Sequence, residues 1–145
     1  MTAVISNEPD MVANMANIAA VLYNTLEQIN WAGFYLLKQE QLVLGPFQGQ
    51  PACVRIPMGR GVCGTSAATR ETVIVDNVHE FAGNIACDVA SNSEIVIPIV
   101  FNQQLIGVLG IDSAVAARFD DDDRQGLESL VRILQQTLTS LETTQ

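Results

Sequence analysis

Glu94-Ile95-Val96-Ile97-Pro98-Ile99-Val100 and, beyond Asn102-Gln103-Gln104, Leu105-Ile106-Gly107-Val108-Leu109-Gly110-Ile111-Asp112 are two apolar runs separated by a short polar turn. The first is strongly β-branched, and together they predict an antiparallel hairpin. In a hairpin the start of one strand lies beside the end of its partner. Glu94 and Asp112 could therefore project at the same end of the sheet, as solvated surface acids or as a working carboxylate pair.

Working outward, Thr72–Asp76 reads as a further strand, and 77–93 as a long connection with one helical turn around His79. Trp31–Leu37 and Leu42–Phe47 flank a polar turn at Lys38–Gln41 and predict a second hairpin. Val54-Arg55-Ile56 is a short strand, and the small residues of Val62–Arg70 suit a packed helix. At the N-terminal side, Ser6-Asn7-Glu8 offers helix caps and Pro9 suits a first helical turn. Val12, Met15, Ile18, Ala19, Leu22, Leu26 and Ile29 then recur at helical steps, predicting an amphipathic helix to about residue 29. At the other end Asp120 can cap a long helix with Leu127, Leu130, Val131, Leu134, Leu138 and Leu141 on one face. The acids at 120–123 suit that helix's N-terminus. The expected fold is α+β: one domain over residues 1–145, a mostly antiparallel sheet of about five or six strands, and terminal helices on one face.

Charge narrows the function. Sixteen acids against seven bases give a net charge of −9, which disfavours nucleic acid and anionic membranes as partners. The N-terminal residues carry no secretory-signal pattern, and no apolar run reaches the roughly 18 residues of a membrane span. The chain reads as cytoplasmic, where its three cysteines are not a structural disulfide framework.

Those cysteines, Cys53, Cys63 and Cys87, contain no C-x-x-C pair, so zinc-ribbon and thioredoxin spacings are absent. Three readings of them remain: buried thiols, a zinc site completed by His79, or redox chemistry. The settings favour the last. Cys53 follows Gln50-Pro51-Ala52 on a loop, Cys63 follows two glycines, and Cys87 stands among polar residues in the long connection. Partly exposed thiols on such connections suit sulfenic-acid chemistry, in which one cysteine attacks and another resolves. Gly59-Arg60-Gly61-Val62-Cys63-Gly64 spells G-x-G-x-x-G but lacks the long buried strand of a dinucleotide site before it. It reads as a tight turn feeding a helix whose free N–H groups could polarise Cys63. Trp31 could pack in the core, or wall a pocket for an apolar or sulfur-bearing group.

Several stretches resemble the free methionine-(R)-sulfoxide reductases, single-domain enzymes with a GAF fold. They are Asn30-Trp31-Ala32-Gly33-Phe34-Tyr35, Gly59–Thr65, His79-Glu80-Phe81, Ile85-Ala86-Cys87-Asp88, Ala90–Val96 and Gly107–Ser113. The cysteine spacing matches as well. The resemblance implies that Cys87 is the nucleophile, that Cys53 is the main resolving thiol and Cys63 a second one, and that thioredoxin is the external reductant, with no bound cofactor or metal. It implies that Trp31 walls the substrate methyl group, and that Glu94 and Asp112 bind polar groups of free methionine sulfoxide and assist protonation of its oxygen. There is one departure: the family usually reads Asp-Ile-Asp-Ser where this chain has Gly110-Ile111-Asp112-Ser113. The rival reading is a non-catalytic GAF-type sensor of a small molecule or of oxidation. The long terminal helices could pair two chains into a homodimer, or pack on their own sheet with the same pattern.

Overall fold

The computed structural model describes Glu8, residues 10–81, Gly83 and residues 91–144, with side chains omitted at 139–144. In chain order the elements are α1 (Met11–Thr25), β1 (Ile29–Lys38), β2 (Gln41–Gly49), β3 (Arg55–Pro57), α2 (Gly61–Thr69), β4 (Val73–Val75), a 3-10 turn (Val78–Glu80), β5 (Ser93–Phe101), β6 (Gln104–Ser113) and α3 (Asp121–Thr144). The strands form one six-stranded sheet of order β3-β2-β1-β6-β5-β4. Every neighbouring pair is antiparallel.

Strand alternation divides the core into two layers. Ala32 and Phe34 of β1, Ile95, Ile97 and Ile99 of β5, and Leu109 and Ile111 of β6 point to one face. There they meet Met15, Ile18, Ala19 and Leu22 of α1 and Leu127, Leu130, Val131, Leu134 and Leu138 of α3. The terminal helices therefore share a face, as the sequence predicts; the Leu141 side chain lies outside the described ones. The opposite face carries Trp31, Tyr35, Val96 and Val108, covered by Val62, Cys63 and Ala67 of α2 and by Val75 and Val78.

Two boundaries differ from expectation. The cap of α1 is Asp10, whose Oδ1 accepts from the Ala13 N–H at 2.9 Å; Ser6, Asn7 and Pro9 lie outside the described residues. The helix also stops at Thr25 rather than near 29, because Gln28 turns the chain with φ of +66° and Ile29 opens β1. Leu26 and Ile29 pack on the helix-side core all the same, which is why the apolar spacing runs past the helix end. At α3, Asp120 Oδ1 accepts from the Asp123 N–H at 2.9 Å while Asp123 Oδ2 accepts from the Asp120 N–H at 3.0 Å, a reciprocal cap.

Pro46 is accommodated inside β2 by a bulge. Gly33 pairs with Phe47 and Tyr35 with Leu44, so Gly45 and Pro46 together oppose Phe34, and the lost N–H breaks no regular ladder.

Glycines in the central strands are there for close approach. A methyl group at Gly107 would lie 2.2 Å from the Tyr35 carbonyl oxygen. Gly107→Ala is expected to lower unfolding stability by about 1–3 kcal/mol in urea titration. Gly126, on α3 with open space around it, should respond oppositely, Gly126→Ala gaining about 0.5–1 kcal/mol.

Candidate active site

Three strands bring the sequence-predicted residues into one row. Glu94 of β5 pairs with Asp112 of β6, and Asp112 pairs in turn with Trp31 of β1. Directly paired residues project to the same face, so the two carboxyls and the indole emerge together on the α2 side of the sheet. The next row on that face is Gly33, Gly110 and Val96, and the row after it contains Tyr35 and Val108. Two glycines side by side leave a hollow behind the acids.

The aromatic wall fills half of that hollow. Trp31 lies across Gly33, where a methyl group would come within 2.7 Å of the indole Cη2. The ring stacks on Phe47 (centroids 5.5 Å apart, planes at 18°) and on Tyr35 (6.1 Å, 29°), and its Nε1–H donates to the Gln50 carbonyl at 3.1 Å. The Tyr35 hydroxyl donates to the Cys53 carbonyl at 2.6 Å. Two aromatic residues of β1 thus tether the 50–53 loop to the site. Cys53 is half-buried and disulfide-bonded.

The roof is the first turn of α2. Its Gly59-x-Gly61-x-x-Gly64 run is structural. Gly59 and Gly61 have φ of +81° and +64°, and a methyl at Gly64 would lie 2.5 Å from the Pro57 carbonyl. The turn delivers Cys63 onto the carboxyls, its thiol donating to Glu94 Oε2 across 3.6 Å. Cys63 is a buried free thiol. The expectation of a thiol polarised by a helix N-terminus is reversed. Burial first, and then the charges of Glu94 and Asp112, hold the Cys63 proton well above the ordinary thiol range.

The carboxyls themselves are the strongest electrostatic feature. Glu94 is raised well above the usual carboxylate range, first by burial, then by the charge of Asp112 and a hydrogen bond with it. Two acids on adjacent strands in a buried site cannot both ionise cheaply, which favours one proton held on the pair, on Glu94 first. Burial first, and then the neighbouring Cys63, Asp112 and Glu94, raise the Tyr35 phenol. The arrangement stores a proton beside an aromatic wall and can deliver it to an oxygen placed between them.

Cys87 lies outside the described residues, but the chain on either side of 84–90 is anchored at this site. The N–H of Gly61 donates to the Gly83 carbonyl at 2.9 Å, which ties that end to the start of α2. The N–H of Asn92 donates to the Ser113 carbonyl at 2.7 Å, one residue beyond Asp112. His79 is exposed, with Nε2 3.2 Å from Asn92 Oδ1. Among the described residues, no three His, Cys, Asp or Glu side chains gather to hold a metal, and no helix is long and apolar enough to cross a membrane.

Residues 12–139 match the GAF domain family. The chain is 55% identical to the free methionine-R-sulfoxide reductase of Escherichia coli (strain K12) over 140 residues, which span 97% of this chain and 85% of that protein. It also superposes on the free methionine-R-sulfoxide reductase of Neisseria meningitidis, solved in complex with its substrate. The TM-score there is 0.95 at 43% identity, covering 99% of this chain and 86% of the other. This chain belongs to the free methionine-R-sulfoxide reductase family of GAF domains. A third relative, fRMsr of Staphylococcus aureus in reduced form, has a TM-score of 0.92 and 52% identity, covering 94% of this chain and 89% of that one.

Trp31, Glu94, Asp112 and Cys63 lie together at this end of the sheet, and the Tyr35 hydroxyl bond to the Cys53 carbonyl holds Cys53 alongside. Tyr35 itself escaped sequence reading. Its signal was the two-residue alternation Trp31, Gly33, Tyr35, which places all three on one face.

The Glu94 shift has a definite sign in stability. The folded chain keeps a proton on Glu94 to higher pH than the unfolded chain does. Stability therefore falls as pH rises from the ordinary carboxylate range towards the folded value, and the penalty is absent below that range. Glu94→Gln should raise the urea midpoint at neutral pH, with the difference from wild type closing below about pH 4. A pH-independent difference would contradict the shared proton.

Proposed function

We propose that this chain reduces free L-methionine-(R)-sulfoxide to methionine with thioredoxin as the external reductant. The observation that carries the reading is the Glu94–Asp112 carboxyl pair, set face to face beside the Trp31 wall on a fold whose relatives bear this activity's name; burial and the charge of Asp112 favour a proton on Glu94. A sulfoxide oxygen leaves sulfur readily as hydroxide and poorly as oxide, so the reaction needs a proton at that oxygen. The pair supplies it at a pH where an ordinary glutamate would be ionised.

In this reading Trp31 seats the S-methyl group, sulfur and methyl both making favourable contacts with the indole. The Cys87 thiolate forms an S–S bond to the substrate sulfur while the shared proton passes to the oxygen, which leaves that sulfur as hydroxide. Hydroxide then bonds to the Cys87 sulfur, and the S–S bond breaks with its electron pair going to the methionine sulfur, so methionine leaves and Cys87 is a sulfenic acid. The thiol of Cys53 then attacks that sulfur, expelling water and closing a disulfide, which thioredoxin reduces by exchange.

Two features support Cys53 rather than Cys63 as the main resolving thiol. Cys53 is the disulfide-bonded one of the two, on a loop tethered by Tyr35. Cys63 is buried and free, and burial first, then Glu94 and Asp112, hold its proton. The anchoring of Gly83 and Asn92 at the site supports Cys87 as nucleophile.

The test follows NADPH oxidation with thioredoxin and thioredoxin reductase. Free methionine-(R)-sulfoxide should sustain turnover in the wild type, and its absence in a folded, reduced sample would contradict the reading. Cys87→Ser should abolish turnover. Cys53→Ser should still release about one equivalent of methionine in a single turnover, since only the later disulfide step is lost.

A further inference from the structure

Gly110 is a glycine that neither the backbone nor the packing requires. Its neighbours in the sheet are different. A methyl at Gly33 would lie 2.3 Å from Phe47 Cβ, and one at Gly107 2.2 Å from a carbonyl oxygen. At Gly110 the nearest atoms would be Cys63 Sγ at 3.5 Å, Trp31 Cζ3 at 3.8 Å and Glu94 Oε2 at 3.9 Å, all ordinary contact distances. The residue is buried at the centre of a long strand, where glycine weakens the strand and gives it no side chain to pack. What glycine leaves there is room for one methyl group, bounded by the Cys63 sulfur, the Trp31 ring and a Glu94 oxygen.

The three bounding atoms say what fits. Two are a sulfur and an aromatic edge, which favour hydrocarbon. The third belongs to the acid that meets the substrate oxygen. A sulfoxide sulfur has three substituents: the oxygen, the amino-acid chain and a terminal alkyl group. With the oxygen on the Glu94–Asp112 pair, the terminal alkyl group is the apolar substituent next to it on the Trp31 side.

Resting on the reductase reading above, we propose that Gly110 sets the size limit for the sulfur substituent, and that this chain accepts free amino-acid sulfoxides bearing S-ethyl nearly as well as S-methyl. One methylene in a fitted apolar pocket is worth roughly 10- to 200-fold in discrimination. A side chain at position 110 would restore that discrimination against the larger group.

Two ratios test this. The first is kcat/KM for ethionine-(R)-sulfoxide over that for methionine-(R)-sulfoxide. The second is the equilibrium affinity of ethionine over methionine, which needs no turnover. In the wild type each ratio should lie within roughly threefold of unity, and Gly110→Ala should lower each by about tenfold or more. A wild-type preference for S-methyl above about tenfold would overturn the proposal even if the variant failed to fold. So would ratios that Gly110→Ala leaves unchanged. If neither sulfoxide is turned over but the affinity ratio shifts, the pocket stands and the reductase reading falls.

Discussion

Glu94 and Asp112 stand directly opposite one another on adjacent strands, and the rest of the site answers to that pairing. Two like charges facing each other across a sheet repel, and under the roof of α2 there is little water to screen them. Burial and the charge of Asp112 both favour a proton on Glu94, holding it well above the ordinary carboxylate range. In the proposed reaction that proton goes to the sulfoxide oxygen. The cost falls on folding stability at neutral pH, and the two-layer core offsets it.

The core also fixes where the proton sits. On the helix side of the sheet, Ile95, Ile97 and Ile99 alternate with Glu94 and Val96 of the site side, while Ile111 and Leu109 alternate with Asp112 and Gly110. Slipping either strand by one residue would turn the acids into the packed layer under α1 and α3 and turn isoleucines into the site. The helix-side packing is thus a register lock. It explains how terminal helices packed on the opposite face bear on the site.

The β5–β6 hairpin and the neighbourhood of its two acids were legible in the sequence, because a short turn between apolar runs leaves one simple pairing. The place of Trp31 in the same row was not. It depends on β1 pairing with β6, a contact between the two ends of the chain that no local pattern encodes. Cys63 misled for another reason: two preceding glycines look like an exposed turn, whereas here their positive φ makes the tight turn into α2, and the close approach at Gly64 goes with a thiol buried against Glu94. The helix end at Thr25 was hidden because Ile29, although in a strand, packs on the same core as the helix before it. The departure at Gly110 was visible as a letter. Its meaning required the distances around it, which separate a glycine that must be glycine from one that leaves room.

The shared proton is the central claim, and infrared difference spectroscopy of the reduced protein reads it directly. A protonated-carboxyl C=O band should persist at neutral pH in the wild type and disappear in Glu94→Gln. Fully ionised carboxylates at neutral pH, with no band lost in the variant, would contradict the account.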